Sequence, residues 1–353
     1  MIDNLLASKQ ASKQARNSWI DCLKGVAILL VIWGHTQRIS PINTWVQTFH
    51  VPIFLVISGY LFCEKEKRIS SFVSTLKKVG WPYIWFSLFA IVIDAVYAFV
   101  FKGSVTESFI IDVYKTVSLY GIMAIWYLPS YAIATYIILK EQNKRTRRIV
   151  SLAFTWIAVI TDYLFRWFHG ISEGDLYFLI YYPLSSLIRG LLCSSYIAVG
   201  YELHNFLNTR NKWTSIFLCI VCFILSIGLS PFCVDANLSK LYFGSMPGVF
   251  LICSIAGSVA FTSLFFIIKD TVLCKSRFLQ YCGINSLLFL ITHMTFKLPE
   301  IAWKVEEIIF GARGYGIIQN LQGIVCLIII LIFEIPILFL LKNTRLKALI
   351  DKK

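Results

Sequence analysis

The chain has 353 residues, 58% hydrophobic and only 15% charged, yet its net charge is +14 at pH 7. Soluble domains carry about 25% charged residues, so this composition excludes an ordinary soluble enzyme. Disorder is excluded as well, because it requires low hydrophobicity. A nucleic-acid reader is disfavoured, since such proteins are charge-rich rather than apolar. What remains is an all-α polytopic membrane protein whose charges sit in its loops.

The first 18 residues are polar and lack an apolar core, which predicts a polar tail and no cleavable signal segment. Ten apolar stretches follow, each read as one crossing at about 20 residues per span. They are Trp19–Thr36, Phe49–Phe62, Pro82–Phe101, Gly121–Leu139, Ile149–Phe168, Leu176–Tyr201, Trp213–Pro231, Ser245–Ile268, Phe278–Phe296 and Gly316–Leu341. The second is short and contains Pro52. The loops around Lys102–Tyr120, Pro231–Gly244 and Lys297–Tyr315 are too short for a soluble domain and are expected to carry short interfacial helices. The predicted organisation is a cytoplasmic tail over 1–18, a membrane domain over 19–341 and a basic cytoplasmic tail over 342–353.

Lys and Arg test this count. With ten spans and a cytoplasmic N-terminus, most of the 33 basic residues fall on the cytoplasmic side. Only Arg38, Lys102, Lys115, Arg166, Lys240, Lys297, Lys304 and Arg313 fall opposite, while Lys24 and Arg189 lie inside spans. The asymmetry agrees with the positive-inside rule and puts both termini in the cytoplasm.

Ionisable residues within spans are candidate functional groups because a bilayer penalises them. The first span carries Asp21, Lys24 and His35. Lys24 and His35 are separated by about 16 Å of helical rise and share a face to within about 20°. Asp21 and Lys24 read either as an ion pair snorkelling to the interface or as functional charges. His35 reads as a structural histidine or a proton relay. The second span offers His50 and the small Ser58-Gly59 surface, but no GxSxG elbow. Trp126-Tyr127-Leu128 opens the fourth span, and its aromatics also suit an interface belt. Arg189 lies mid-span, with Asp94 and Glu334 as candidate partners. In the ninth span Asn285 and Ser286 precede His293, and Ser286 and His293 share a face. The ten cysteines include Cys22, Cys193, Cys219, Cys222, Cys253 and Cys326 within apolar runs. No CxxC pair has the matching second pair of a zinc site, so they read as reduced, apolar residues, and no metal site is predicted.

Several of these residues also form a recognisable series. Asp21-x-x-Lys24-Gly25 leading to Gly34-His35 is followed by Phe49-His50-Val51-Pro52-Ile53-Phe54 and Ser58-Gly59-Tyr60. Lys77 and Lys78 precede Pro82-Tyr83; Trp126-Tyr127-Leu128 comes next, then Gly283 through Asn285-Ser286 to His293. In this order they resemble the motifs of acyltransferase family 3, the integral membrane O-acetyltransferases, over essentially the whole chain. The opening basic residue is more often Arg in that family; here it is Lys24. Lysine cannot make the bidentate fork of arginine. Some relatives carry a fused esterase-like domain, and this sequence resembles the stand-alone type.

The resemblance implies transfer of acetyl from cytoplasmic acetyl-CoA to a hydroxyl of a cell-surface glycan, such as an O-antigen, or of its lipid-linked precursor. It implies a bacterial inner membrane, no bound cofactor, and membrane lipids as the surroundings. His35 would act as base or acetyl carrier, with Lys24 and Asp21 beside it in the signature. Lys77, Lys78, Ser58, Tyr60 and Trp126 would serve the donor. His50, Arg189, Asn285, Ser286 and His293 would orient His35 or hold the acceptor. The rival from another class is a transporter or flippase of a lipid-linked sugar, against which stands the lack of an evident internal repeat.

Overall fold

The computed structural model describes residues 2–36, 40–102, 105–141, 143–169, 175–311, 317–344 and 346–347, with no side-chain description for 2–17. Among the described residues the chain is helical and has no strand; one isolated antiparallel bridge joins Asn237 to Tyr242. In chain order the helices are α1 (Ile2–Thr36), α2 (Pro41–Phe49), α3 (Pro52–Glu64), α4 (Phe72–Lys102), α5 (Thr106–Val117), α6 (Tyr127–Lys140) and α7 (Lys144–His169). They continue with α8 (Asp175–Thr209), α9 (Lys212–Leu229), α10 (Pro247–Ile267), α11 (Arg277–Ile284), α12 (Ser286–Thr295), α13 (Leu298–Phe310) and α14 (Ile317–Asn343).

Eight helical segments among the described residues are long and apolar enough to cross a membrane. The other two predicted crossings are broken. At the fourth, a 3-10 turn over Met123–Trp126 leads into the 14-residue α6. At the ninth, Asn285 interrupts the helix, leaving α11 and the 10-residue α12. The second crossing is longer than its sequence pattern, because α2 and α3 together span Pro41–Glu64. The polar start is continuous with the first crossing: the backbone of α1 is helical from Ile2.

The outer helices are apolar on the wrong face for water. Ile84, Leu88, Val92, Val96 and Phe99 of α4 point outward, as do Leu152, Trp156, Ile160 and Trp167 of α7. Their spacing of three and four residues makes a stripe along each helix, and such continuous apolar surfaces are solvated by lipid. The buried polar groups lie inside. Ser130, Ser258, Thr262 and Thr295 each donate to the carbonyl four residues back, which satisfies the hydroxyls without another helix. All ten cysteines are free, and eight are buried.

Two crossings bring backbones into direct contact. A Cβ at Gly25 of α1 would lie 2.0 Å from the Leu279 carbonyl oxygen of α11, and one at Gly283 would lie 1.7 Å from Asp21 O. Likewise a Cβ at Gly59 of α3 would lie 1.9 Å from Ile197 O of α8, and one at Gly200 would lie 2.0 Å from Val56 O. Only hydrogen fits at these four positions, the packing that small residues provide between membrane helices.

The first and last helices run antiparallel. Thr36 at the end of α1 donates to Gly323 O near the start of α14 at 3.1 Å. At the other end, Lys342 donates to Asn285 Oδ1 at 2.7 Å, close to where Gly283 meets Asp21. The Asp21 region of α1 and the end of α14 therefore lie at one end of the bundle. Lys144 and Arg148 both pair with Glu202 between the start of α7 and the end of α8.

The tight crossings make a paired stability test. Gly200→Ala is expected to destabilise the protein by about 2 kcal/mol, the scale of overpacking. Gly228→Ala, where an added Cβ meets nothing within 4 Å, is expected to be neutral or to stabilise by about 0.5 kcal/mol, because Ala is the better helix former. Thermal unfolding in detergent measures both.

Candidate functional site

Three helices build the site, and α1 and α12 contribute at two depths. At the lysine-rich end they line a cavity of about 280 Å³. Lys24 comes from α1; Phe54, Ile57, Ser58 and Leu61 from α3; Ser286, Leu287 and Leu290 from α12. The loop after α3 and the start of α4 close it with Lys67, Ser74, Thr75, Lys78 and Val79, while α6 supplies Tyr127 and Tyr131. Three lysines and no carboxylate line the space. Asp21 pairs with Lys24 at 2.9 Å. Tyr127 and Tyr131 stack at 5.7 Å between ring centroids and form an aromatic wall. The mouth suits a polyanion, and the walls suit an apolar arm.

Further along stand three histidines: His35 on α1, His293 on α12 and His50 in the turn between α2 and α3. The half-buried His35 of α1 lies between His50, 6.3 Å away between ring centroids, and His293, 5.4 Å away. Each partner ring is fixed by its own helix: His50 Nδ1 lies 3.1 Å from Val46 O and His293 Nδ1 lies 2.6 Å from Phe289 O. A carbonyl only accepts, so Nδ1 carries the proton in both rings, and in the neutral imidazole Nε2 keeps the lone pair. Nε2 of the fully buried His293 has no hydrogen-bond partner among the described residues. Beside it Thr292 donates to Glu334 Oε1 at 2.6 Å. Among the described residues no group of three or more His, Cys, Asp or Glu is placed to hold a metal ion.

The sequence-derived candidates divide accordingly. Lys24, Ser58, Lys78 and Ser286 line the lysine-rich cavity. His35, His50 and His293 form the cluster. Lys77 is exposed and does not line the cavity, although Lys78 beside it does. Tyr60 is buried against Trp19 and His204 and accepts from Asn208. Asn285 sits at the helix break, held by Lys342 and by its own bond to Tyr281 O.

Arg189 and Trp126 belong to a different cavity, of about 500 Å³. Neither acid suggested by the sequence neutralises Arg189. Asp94 pairs with Lys297 at 2.7 Å, and Glu334 accepts from Thr292. Arg189 instead donates to the carbonyls of Ser239 and Tyr120 and lies over the rings of Tyr120 and Trp126, at 4.4 and 5.2 Å.

A family model described as an acyltransferase domain matches residues 17–341. The chain belongs to acyltransferase family 3. It is thus a multi-pass membrane acyltransferase. Searches of curated proteins and of solved structures returned no significant match.

Sequence reasoning missed Lys67, Tyr131 and the Thr292–Glu334 bond in this acyltransferase. Tyr131 was within reach, being one turn from Tyr127 on the same face. Lys67 was not, because it lies in a charged loop whose fold only the structure supplies. Its ammonium sits over the Phe62 ring at 4.8 Å. Burial, with Lys65 and Lys78 nearby, holds its pKa below the usual lysine range.

A bound polyanion favours the charged form of Lys67. Above the lowered pKa, binding must therefore take up a proton, and affinity falls as pH rises through that pKa. Calorimetric titration with tripolyphosphate is expected to show this loss at high pH, and Lys67→Arg is expected to flatten it, since arginine stays charged.

Proposed function

We propose that this acyltransferase moves an acetyl group from acetyl-CoA to a saccharide hydroxyl, with His35 as the catalytic base. One observation carries the reading: α1 and α12 each run from a residue of the lysine-lined cavity to the histidine cluster, and α3, which carries Ser58, starts just after His50 in the turn before it. The pairs are Lys24 with His35, Ser58 with His50, and Ser286 with His293. At 1.5 Å per residue the axial separations along α1 and α12 are about 16 and 10 Å. That is the scale of an extended pantetheine arm.

In this reading the cavity faces the cytoplasm, as the distribution of Lys and Arg implies. The nucleotide phosphates of the donor rest at Lys67, Lys78 and Lys24, which supply charge rather than a bidentate fork. The arm runs past Tyr127 and Tyr131 and delivers the thioester to His35. The acceptor hydroxyl gives its proton to the imidazole as its oxygen bonds to the thioester carbon. The carbon–sulfur bond breaks, the ester remains on the acceptor, and the proton passes to the departing thiolate as CoA leaves. Atoms and charge balance without a metal or redox partner. His50 and His293, fixed through Nδ1, hold the imidazole of His35 in place. A bacterial inner membrane with saccharide acceptors on its outer side completes the proposal.

His35→Ala is expected to abolish acetyl transfer, by at least 10³-fold for loss of a general base, while the protein still inserts and still binds CoA. Acetylated product at the wild-type rate from that variant defeats the assignment. Lys24→Ala is expected to raise the KM for acetyl-CoA about tenfold, the scale of one charge-assisted contact, with Lys24→Arg retaining most activity. Equal loss in the two Lys24 variants rules out a simple charge role. Both comparisons use CoA release by purified membranes supplied with saccharide.

A further inference from the structure

A third space stands at the histidine end of α1, away from the lysines. There α2 packs on α1: Gln47 Nε2 lies 3.4 Å from Gly34 O, and a Cβ at Gly34 would meet Asn43 Oδ1 at 3.6 Å. Asn43, Thr44 and Gln47 of α2 line a pocket of about 190 Å³, the size of one sugar ring. Asp235 and Asn237 close it from the loop before α10, and Phe250 of α10 is its floor.

The pocket is one helical turn from the histidine cluster. Asn43, Gln47 and His50 follow one another at spacings of four and three, which puts them on one stripe. His50 keeps helical backbone, at φ −59° and ψ −28°. The stripe therefore runs unbroken from the pocket to the ring 6.3 Å from His35. Between Gln47 and His50 the rise is about 4.5 Å. The loop opposite is held as well: Asn237 and Tyr242 exchange backbone hydrogen bonds at 2.6 and 3.0 Å.

The lining is polar, and among the described residues no cation belongs to it. Lysines line both of the other cavities. No described residue bonds the Thr44 hydroxyl or Gln47 Oε1, and none pairs with the exposed Asp235 carboxylate. These groups keep their bonding capacity for a molecule in the pocket. A carboxylate accepts hydroxyl protons at two oxygens, while a hydroxyl and a carboxamide both give and accept. A ring bearing several hydroxyls matches that set. An anion would meet Asp235 with like charge.

We propose that the acceptor's sugar ring is bound in this pocket and that an uncharged ring is selected, with Gln47 and Asp235 as specificity-determining residues. The ring hydroxyls bond Thr44, Gln47 and Asp235, and the one that reacts lies toward His50 and His35. This rests on the acyl-transfer reading above and adds to it a place and a charge rule for the acceptor. Arg189, which the resemblance suggests for that task, already donates to two backbone carbonyls.

The test uses the full chain in detergent with the methyl glycosides of glucose, galactose and mannose, and with methyl glucuronide. Saturation-transfer NMR reads binding, and acetyl-CoA-dependent CoA release reads turnover. At least one neutral glycoside is expected to bind about tenfold more tightly than the glucuronide, for want of like-charge repulsion. Gln47→Leu is expected to weaken that binding about tenfold, the scale of lost hydrogen bonds. The KM for the glycoside rises to match, and the KM for acetyl-CoA stays unchanged. Asp235→Asn keeps a backbone with φ 64°, which asparagine tolerates, and is expected to remove the preference against the glucuronide. Equal binding of the glucuronide by wild type, unchanged affinity in Gln47→Leu, or no saturation transfer from any probe overturns the proposal. If a glycoside drives CoA release with a KM that neither variant moves, the pocket is not the acceptor site and acyl transfer stands. If binding behaves as expected but no glycoside drives CoA release, the acyl-transfer reading falls and a sugar site without that role remains.

Discussion

Backbone contact between helices is the constraint on which the site depends. Gly25 and Gly283 let α1 and α11 touch, and Gly59 and Gly200 do the same for α3 and α8. In a membrane there is little hydrophobic drive to press helices together, so close van der Waals fit has to supply the association. These contacts sit next to Lys24, Ser58 and Asn285. The same crossings that hold the bundle together set the separation of the cavity walls. A side chain at any of the four glycines would push apart the helices that carry the cavity lysine and the three histidines.

With α1, α3 and α12 fixed, the lysine-lined cavity and the histidine cluster follow as two levels of one framework. Their chemistry differs because their surroundings differ. The lysines lie where the loop after α3 and the start of α4 admit solvent and ions. The histidines lie among apolar side chains, with two rings tethered to backbone carbonyls and the third held between them. Lysine stands at one level and imidazole at the other, so one helix, α1, carries both kinds of group.

Much of this was legible in the sequence, and the reasons are physical. Lipid forces a long apolar stripe on every peripheral helix, so the long spans stand out by composition. The face shared by Lys24 and His35 follows from helical periodicity alone. The broken crossings were less legible. Asn285 ends α11 within an otherwise apolar run, and composition does not distinguish a broken helix from a continuous one. Arg189 shows a second limit. An arginine in a span suggests a carboxylate partner, yet here backbone carbonyls and aromatic rings satisfy it. Any residue has a carbonyl to offer, so that arrangement leaves no trace in residue identity. The motif resemblance assigns Trp126 to the donor, whereas the fold turns its indole to Arg189 and leaves Tyr127 lining the lysine-rich cavity.

The adjacency of Trp126 and Tyr127 has an electrical consequence. Their rings lie 6.2 Å apart, one lining each cavity. The Lys and Arg distribution that turns the lysine-lined cavity to the cytoplasm puts Lys115 and Lys240, which line the Arg189 cavity, on the opposite side, so in the proposed orientation this aromatic pair stands between the two entrances and in the transmembrane field. A protein that passes an acetyl group must not also pass protons or sodium, or it would discharge the gradient that powers the cell. Two apolar rings with no fixed charge between them make an insulator of that kind. The wall is thin enough for a reaction to reach across it and dry enough to block an ion.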